Sequence, residues 1–328
     1  MKLPLRKDLE PVAASFMVKE LAEPHFDPNW HFHPHYQLFL VQEGTGMRFI
    51  GDSIKPFGPG DLVFLGPNLP HLWRNDQAYF EKLPHLLSAP AGQTEGCLLG
   101  VAPFNNQPLL ARGIVVYFSK NFLGEHFFTK HEMTALRHLL DQARHGLEWT
   151  GSGRAQAEAG LKNLVGQPVG FGRILGLLSL LNDLSHSSDY RVLTSPGYTN
   201  TMKTADAADA SPTAPERPER AYRRMQLVHD YVLSHFTDDL SLDTVADLAG
   251  MTAPAFCRYF KAHANKTFSC FVSEVRIGHA CKLLMNGTMS ITQISFESGF
   301  HTLSNFNRQF KDITGQTPSQ YVKTYRQL

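Results

Sequence analysis

Cysteine is scarce in this chain of 328 residues: four stand at positions 97, 257, 270 and 281, and none forms a Cys-x-x-Cys pair. A disulfide scaffold and a structural zinc site built on cysteine are therefore not expected, and a reducing cytoplasm is the simplest compartment. The amino terminus, MKLPLRKDLEPVAAS, lacks the apolar core of a signal peptide. No run reaches the roughly 18 apolar residues that a membrane span needs; the longest, Ile174 to Leu181, is broken by Gly176 and Ser179. Gly-x-Ser-x-Gly, Walker A and His-Glu-x-x-His motifs are missing, so three common catalytic chemistries lack their residues. An excess of charge is missing too: 31 Lys and Arg against 30 Asp and Glu leave a net charge of +1. That balance excludes a histone-like protein but not a local nucleic-acid surface. Hydrophobic residues at 42% exclude wholesale disorder, and the length suggests about two domains.

The chain divides into four stretches. Residues 1–105 hold short apolar runs (Gln37–Gln42, Met47–Ile50, Leu62–Leu65) separated by Gly44-Thr45-Gly46, Gly51-Asp52 and Pro59-Gly60-Asp61, the pattern of an all-β barrel or sandwich. Residues 106–198 turn helical. Leu136, Leu139 and Leu140, then Leu161, Leu164 and Val165, then Ile174, Leu177, Leu178 and Leu181 mark three helices. The faces on Leu136/Leu140 and Leu177/Leu181 either pack on the barrel or join two copies into a homodimer. Phe122, Phe127 and Phe128 are expected to cover the barrel. Residues 199–220, with three prolines and many small residues, read as a flexible tether. Residues 221–328 read as seven short helices.

This last stretch contains a duplication. Leu242, Val245, Ala246 and Ala249 form one apolar face, Gly250 ends the helix, Thr252 caps the next, Pro254 suits its first turn, and Phe256 and Phe260 anchor it. About 49 residues on, Ile291, Ile294, Ser295 and Ser298 are followed by Gly299, Thr302, Phe306 and Phe310 in the same order. Two helix-turn-helix units in register are far less open to chance than one. Ser269 to Met285 joins them as a single helix of about 26 Å, long enough to set two reading helices near one DNA turn, roughly 34 Å, apart. From Ala221 onward there are eleven Lys and Arg and eight Asp and Glu, a local +3, so salt-sensitive binding is expected.

Residues 221–328, and above all Gly299-Phe300 through Asn305-Phe306-Asn307-Arg308-Gln309-Phe310-Lys311 and Thr314-Gly315-Gln316-Thr317-Pro318-Ser319-Gln320-Tyr321, resemble the DNA-binding domain of AraC/XylS-type regulators. The resemblance implies that Pro254, Ala255, Cys257 and Arg258 in the first unit, and Leu303, Ser304, Asn305 and Arg308 in the second, meet base edges of an operator duplex. Arg258 and Arg308 can pair with guanine, and Ser304 and Asn305 supply further hydrogen bonds. Pro254, Ala255 and Cys257 offer at most apolar contact, so the first unit leans on shape and phosphates. Lys261 and Lys311 would position the backbone. RNA polymerase joins the partners if the protein activates.

Near the amino terminus, Trp30-His31-Phe32-His33-Pro34-His35-Tyr36-Gln37 would place His31, His33, His35 and Gln37 on one strand face, with Pro34 at a strand start or edge. Together with Gly44 and the later His71-Leu-Trp73-Arg-Asn75, this stretch resembles the paired motifs of the cupin superfamily. Gln37 stands where an acidic metal ligand is usual. The resemblance implies a sensor barrel, and three readings stand side by side. His31, His33, His35, Gln37 and His71 hydrogen-bond a polar effector such as a sugar, with Trp73 or Trp30 as a stacking platform and no cofactor required. Alternatively His31, His33, His35 and His71 hold a divalent metal such as zinc or nickel. In the third, they are satisfied interior polar groups. The expected protein is a multidomain, effector-controlled transcription regulator rather than an enzyme; a metal-dependent cupin enzyme fused to a DNA-binding domain is the alternative.

Overall fold

A computed structural model describes residues 15–80, 109–198 and 218–325. The tether expected at 199–220 lies outside the described residues up to 217, as does Cys97.

Among the described residues, nine strands build the amino-terminal half. They are β1 (Phe16–Glu23), β2 (Tyr36–Glu43), β3 (Gly46–Ile50), β4 (Ser53–Phe57), β5 (Leu62–Leu65), β6 (His71–Asn75), β7 (Ala111–Phe118), β8 (Leu147–Trp149) and β9 (Tyr190–Val192). They form a six-stranded sheet in the order β1-β7-β2-β5-β8-β9, facing a three-stranded sheet β4-β3-β6. The barrel expected within residues 1–105 therefore extends further: β7 pairs with both β1 and β2, and β8 and β9 complete the edge. Strand β2 is apolar almost without alternation because both its faces are covered. Phe39 and Val41 point into the barrel, and Tyr36, Leu38 and Leu40 point to the helices. Arg48 closes the fold electrostatically; it is buried, 2.9 Å from Asp61 and 2.6 Å from Glu148.

Three helices follow, α1 (Thr134–Gln142), α2 (Gly151–Gly166) and α3 (Phe171–His186). Leu136, Leu139, Leu140, Leu161, Leu164, Leu177 and Leu181 are all buried in one cluster with Leu38, Leu40, Phe64 and Val116 of the sheet. The two apolar faces considered for dimerisation are thus taken up by the barrel, and Phe128 is buried in the same cluster.

The carboxy-terminal half has seven helices: α4 (Pro218–His235), α5 (Leu242–Leu248), α6 (Ala253–Ala264), α7 (Phe268–Asn286), α8 (Ile291–Glu297), α9 (Leu303–Thr314) and α10 (Pro318–Tyr325). The helix-turn-helix pairs are α5–α6 and α8–α9, and the 19-residue α7 connects them. Phe256, Phe260, Phe306 and Phe310 are fully buried anchors. Gly250 and Gly299 adopt φ of 64° and 81° in the two turns, the left-handed region open to glycine. Thr302 accepts a bond from Asn305 N as the cap of α9, whereas Thr252 caps α6 by its backbone alone. Leu242, expected on the inner face of α5, is half exposed, because Val245, Ala246 and Ala249 suffice for the contact. No described helix is long and apolar enough to cross a membrane.

Candidate functional site

The barrel interior gathers His31, His33 and His71, each buried, with one ligand atom from each lying within 4.8 Å of the others. Backbone pairing of His31 with His71 draws the first segment onto β6, through N–H···O bonds of 3.1 and 2.9 Å. The three imidazoles are oriented alike. His31 Nδ1 lies 2.8 Å from the carbonyl of Asn29, His33 Nδ1 3.0 Å from that of His35, and His71 Nδ1 2.7 Å from that of Leu69. A carbonyl only accepts, so each Nδ1 carries the proton, and in a neutral ring each Nε2 keeps a lone pair. Burial holds His33 neutral, its pKa lowered to about 4. One ring nitrogen from each histidine therefore comes to one volume, with backbone carbonyls holding the Nδ1 atoms as in metal sites. Donors about 2.0–2.1 Å from a tetrahedral zinc stand roughly 3.3 Å apart, within small side-chain rotations of this arrangement. The donor set fits a borderline divalent ion with an open position.

Gln37 is buried beside them, its carboxamide 2.8 Å from His33 Nε2. Turned with its NH2 group to the ring, it satisfies that lone pair when nothing else does. A cavity of about 460 Å³ opens from this point. His31, Gln37, Phe39, Trp73 and Tyr117 line it, with Lys19 and Glu23 of β1 among its other walls. Trp73 is buried edge-on to Phe39, centroids 4.8 Å apart, and its Nε1–H has no hydrogen-bond partner among the described residues. Burial also pushes the Tyr117 hydroxyl well above its ordinary pKa, so it stays a neutral donor.

Two expected site residues are placed elsewhere. His35 is half-buried, its ring 6.2 Å from that of His33 and outside the group of three. Strict alternation from His31 to Gln37 assumed one continuous strand; the chain makes a bridge at His31, bends after it, and begins β2 only at Tyr36. Trp30 is no platform in the cavity: it faces outward, edge-on to His229 of α4 at 5.0 Å. Lys19 and Tyr117 were missed. The signal for Tyr117 was the alternation of Gly113, Val115 and Tyr117 along β7, opposite Gln37 and Phe39.

On the carboxy-terminal domain the reading faces lie open. Pro254, Cys257, Arg258 and Lys261 of α6 are exposed with Ala255 at their margin, as are Ser304, Asn305, Arg308 and Lys311 of α9 with Leu303 half-buried. The helices thus present the expected residues on the side opposite their phenylalanine anchors. Arg308 Nη2 donates to Asn305 Oδ1 at 3.0 Å, so the two best readers on α9 already form one unit.

Residues 245–324 match the helix-turn-helix domain family, and residues 18–78 match the cupin domain family. An uncharacterized HTH-type transcriptional regulator in the cgkA 5' region of Pseudoalteromonas carrageenovora is 34% identical over 95 residues, 29% of this chain and 56% of that one. The uncharacterized HTH-type transcriptional regulator YdeC of Bacillus subtilis (strain 168) is 29% identical over 100 residues, 30% of this chain and 34% of that one. The C-terminal domain of AraT, a response regulator from Geobacillus stearothermophilus, is 26% identical and covers 35% of this chain and 88% of its own, with a TM-score of 0.29. The chain thus spans about half of the first of these curated relatives and a third of the second.

Proposed function

We propose that this chain, which joins an AraC-type helix-turn-helix domain to a cupin domain, is a sequence-specific DNA-binding regulator of transcription controlled by a small polar effector in its barrel. One observation carries the reading. The charged and hydrogen-bonding residues of α6 and α9 face solvent, while His31 of the buried histidine group lines, with Gln37, Trp73 and Tyr117, a cavity in the barrel of the same chain. The two surfaces are separate, as a sensor and its output require.

The effector is a sugar or related metabolite whose oxygens meet Gln37, the Tyr117 hydroxyl and the unpaired Trp73 Nε1–H, with its body against Phe39 and Trp73. A divalent ion on His31, His33 and His71 would supply a Lewis acid toward such an oxygen. The residues themselves hold the ring tautomers, exclude water and orient the ligand. A homodimer is part of the reading. Since Leu136/Leu140 and Leu177/Leu181 are covered, its contact falls on the exposed Val169, Phe171 and Leu175 at the α2–α3 hairpin.

The test is selection of a binding sequence from random duplexes by the full chain, then titration of that duplex with and without sugars, uronic acids and small organic acids. A specific operator whose affinity one effector shifts is the expected result. Operator affinity unchanged by every compound that stabilises the barrel would overturn the sensor reading. The histidine cluster also favours a second reading, a metal-dependent cupin enzyme fused to a DNA-binding domain. Turnover of a sugar or small acid by the metal-loaded chain would establish it.

A further inference from the structure

The sheet β4-β3-β6 has two occupied faces. In β6, His71 and Trp73 belong to the barrel interior, while Leu72 joins an apolar cluster with Met225, Val228 and Val232 of α4, and Arg74 lies 3.6 Å from Asp230 of α4. In β3, Ile50 faces inward and Met47 and Phe49 outward into that same cluster, which Phe271, Val272 and Val275 of α7 complete. The segment before β2 repeats the division, with His31 inside and Trp30 and Phe32 outside. A single layer of backbone separates the three-histidine site from the DNA-binding domain.

The outer contact is built for its partner. Gly278 sits within α7, where glycine costs about 1 kcal/mol relative to alanine. A Cβ there would lie 2.1 Å from Met47 Cε, so the missing side chain is the seat of a barrel residue. His229 of α4 packs between Trp30 and Phe49 and stacks on Phe271 at 4.8 Å. Lys282 of α7 reaches Asp76 at 2.5 Å. Asp52, buried in the β3–β4 turn, accepts from Ser195 N at 3.0 Å and from Asn265 Nδ2 at 3.1 Å, and its carbonyl accepts from Lys266. Asn265 is the left-handed C-cap of α6, the first reading helix.

We propose that the outer face of this sheet is a regulatory docking surface for α4 and α7, and that filling the three-histidine site strengthens the docking. The inference rests on the metal reading of that site. An ion shared by His31, His33 and His71 ties the Trp30–Phe32 segment to β6, and these two pieces present Trp30, Phe32 and Leu72 to the docked domain. Docking leaves Arg258 and Arg308 in solvent. It therefore acts through α7, the helix that spaces the two reading helices, and not by covering them. Coupling is reciprocal, so the docked chain holds the ion more tightly than the undocked one.

The experiment uses the full chain and Zn²⁺ alone. Zinc affinity is measured by competition with a chromophoric chelator, and hydrogen exchange is followed across α7. In the native sequence, zinc slows exchange of the α7 amides. Gly278→Leu and Lys282→Glu abolish that slowing and weaken zinc binding about tenfold, the middle of the usual range for coupled sites. The double variant Asp76→Lys/Lys282→Glu restores both, which separates lost docking from lost folding. Equal zinc affinity in the native chain and Lys282→Glu, with α7 exchange unmoved by zinc, overturns the coupling and leaves the metal site standing. A native chain that binds zinc no better than His71→Ala overturns both.

Discussion

Arg308→Ala is the sharpest test of which helix reads sequence. Arg308 is exposed on α9, where it donates to the Asn305 side chain at 3.0 Å. A solvent-exposed bond of this kind contributes at most about 1 kcal/mol net, so little opposes turning the guanidinium onto a guanine. A bidentate Arg–guanine pair discriminates by about 1–3 kcal/mol, roughly a 5- to 150-fold change in Kd. Losing Arg308 should therefore weaken the selected operator by that factor and flatten the preference at one base position, leaving binding to unrelated duplexes nearly unchanged. Lys311→Ala should do the reverse. It should weaken all sequences alike and reduce the slope of log K against log salt by about 0.9. Fluorescence anisotropy with the selected operator and its single-base variants, over roughly 50–200 mM salt, separates the two outcomes. If Arg308→Ala lowers affinity equally for every duplex, Arg308 is a phosphate contact and α9 does not read through it.

Three further outcomes are expected. Gly299→Ala should destabilise the second helix-turn-helix by about 2–3 kcal/mol, since its φ is 81° and a Cβ would lie 2.8 Å from the Phe236 carbonyl oxygen. Gly315→Ala, at φ 75° with open space, should cost only about 1 kcal/mol, and thermal melts compare them. Burial, with Lys266 a lesser cause, lowers the pKa of His229 from 6.5 to about 3. Asp52, His263 and Lys266 line the same cavity. The unfolded chain takes up a proton below pH 6.5 that the fold refuses, so stability is full above that pH and falls by about 2 kcal/mol by about pH 5. His229→Phe should flatten this part of the Tm–pH curve, and an unchanged curve would refute the assignment. Phe171→Asp, at a side chain 72% exposed, should turn a dimer into a monomer in sedimentation at unchanged Tm; a native chain already monomeric at micromolar concentration would remove this interface.

Much of this was legible in the sequence because it is local. The duplicated Gly, cap and Phe-x-x-x-Phe pattern specifies a helix-turn-helix within about 20 residues each time, and both units fold as read. The histidines were legible as a group through their motif, but their division was not. His35 leaves the cluster because Pro34 and a bend interrupt the strand, and Trp30 turns outward because His31 is fixed by its bridge to His71, 40 positions away. The alternation along β7 puts Tyr117 on one face with Val115, but which face meets Gln37, and the pairing of β7 between β1 and β2, are decided by long-range register. Gly278 is the clearest case. In sequence it is an unexplained weakness in a helix, and only Met47, from another domain, gives it a reason.

The two reading helices differ in a way that joins these observations. Helix α9 carries Ser304, Asn305 and Arg308, three polar readers, while α6 offers Pro254, Ala255 and Cys257 beside its single Arg258. The poorer reader is the one whose end is gripped by the barrel, through Asn265 on Asp52, and no described hydrogen bond ties α9 to a strand of the barrel. A helix reading by shape and phosphate gains little from base identity, so its affinity depends on being held in the right place. A change in the barrel should therefore act on the part of the operator under α6. Operators altered only under α6 should lose their response to zinc or effector while keeping sequence preference under α9. Operators altered only under α9 should bind weakly yet respond by the same factor as the parent. If instead both classes keep the full response, the grip on Asn265 does not transmit the signal, and α7 alone carries it.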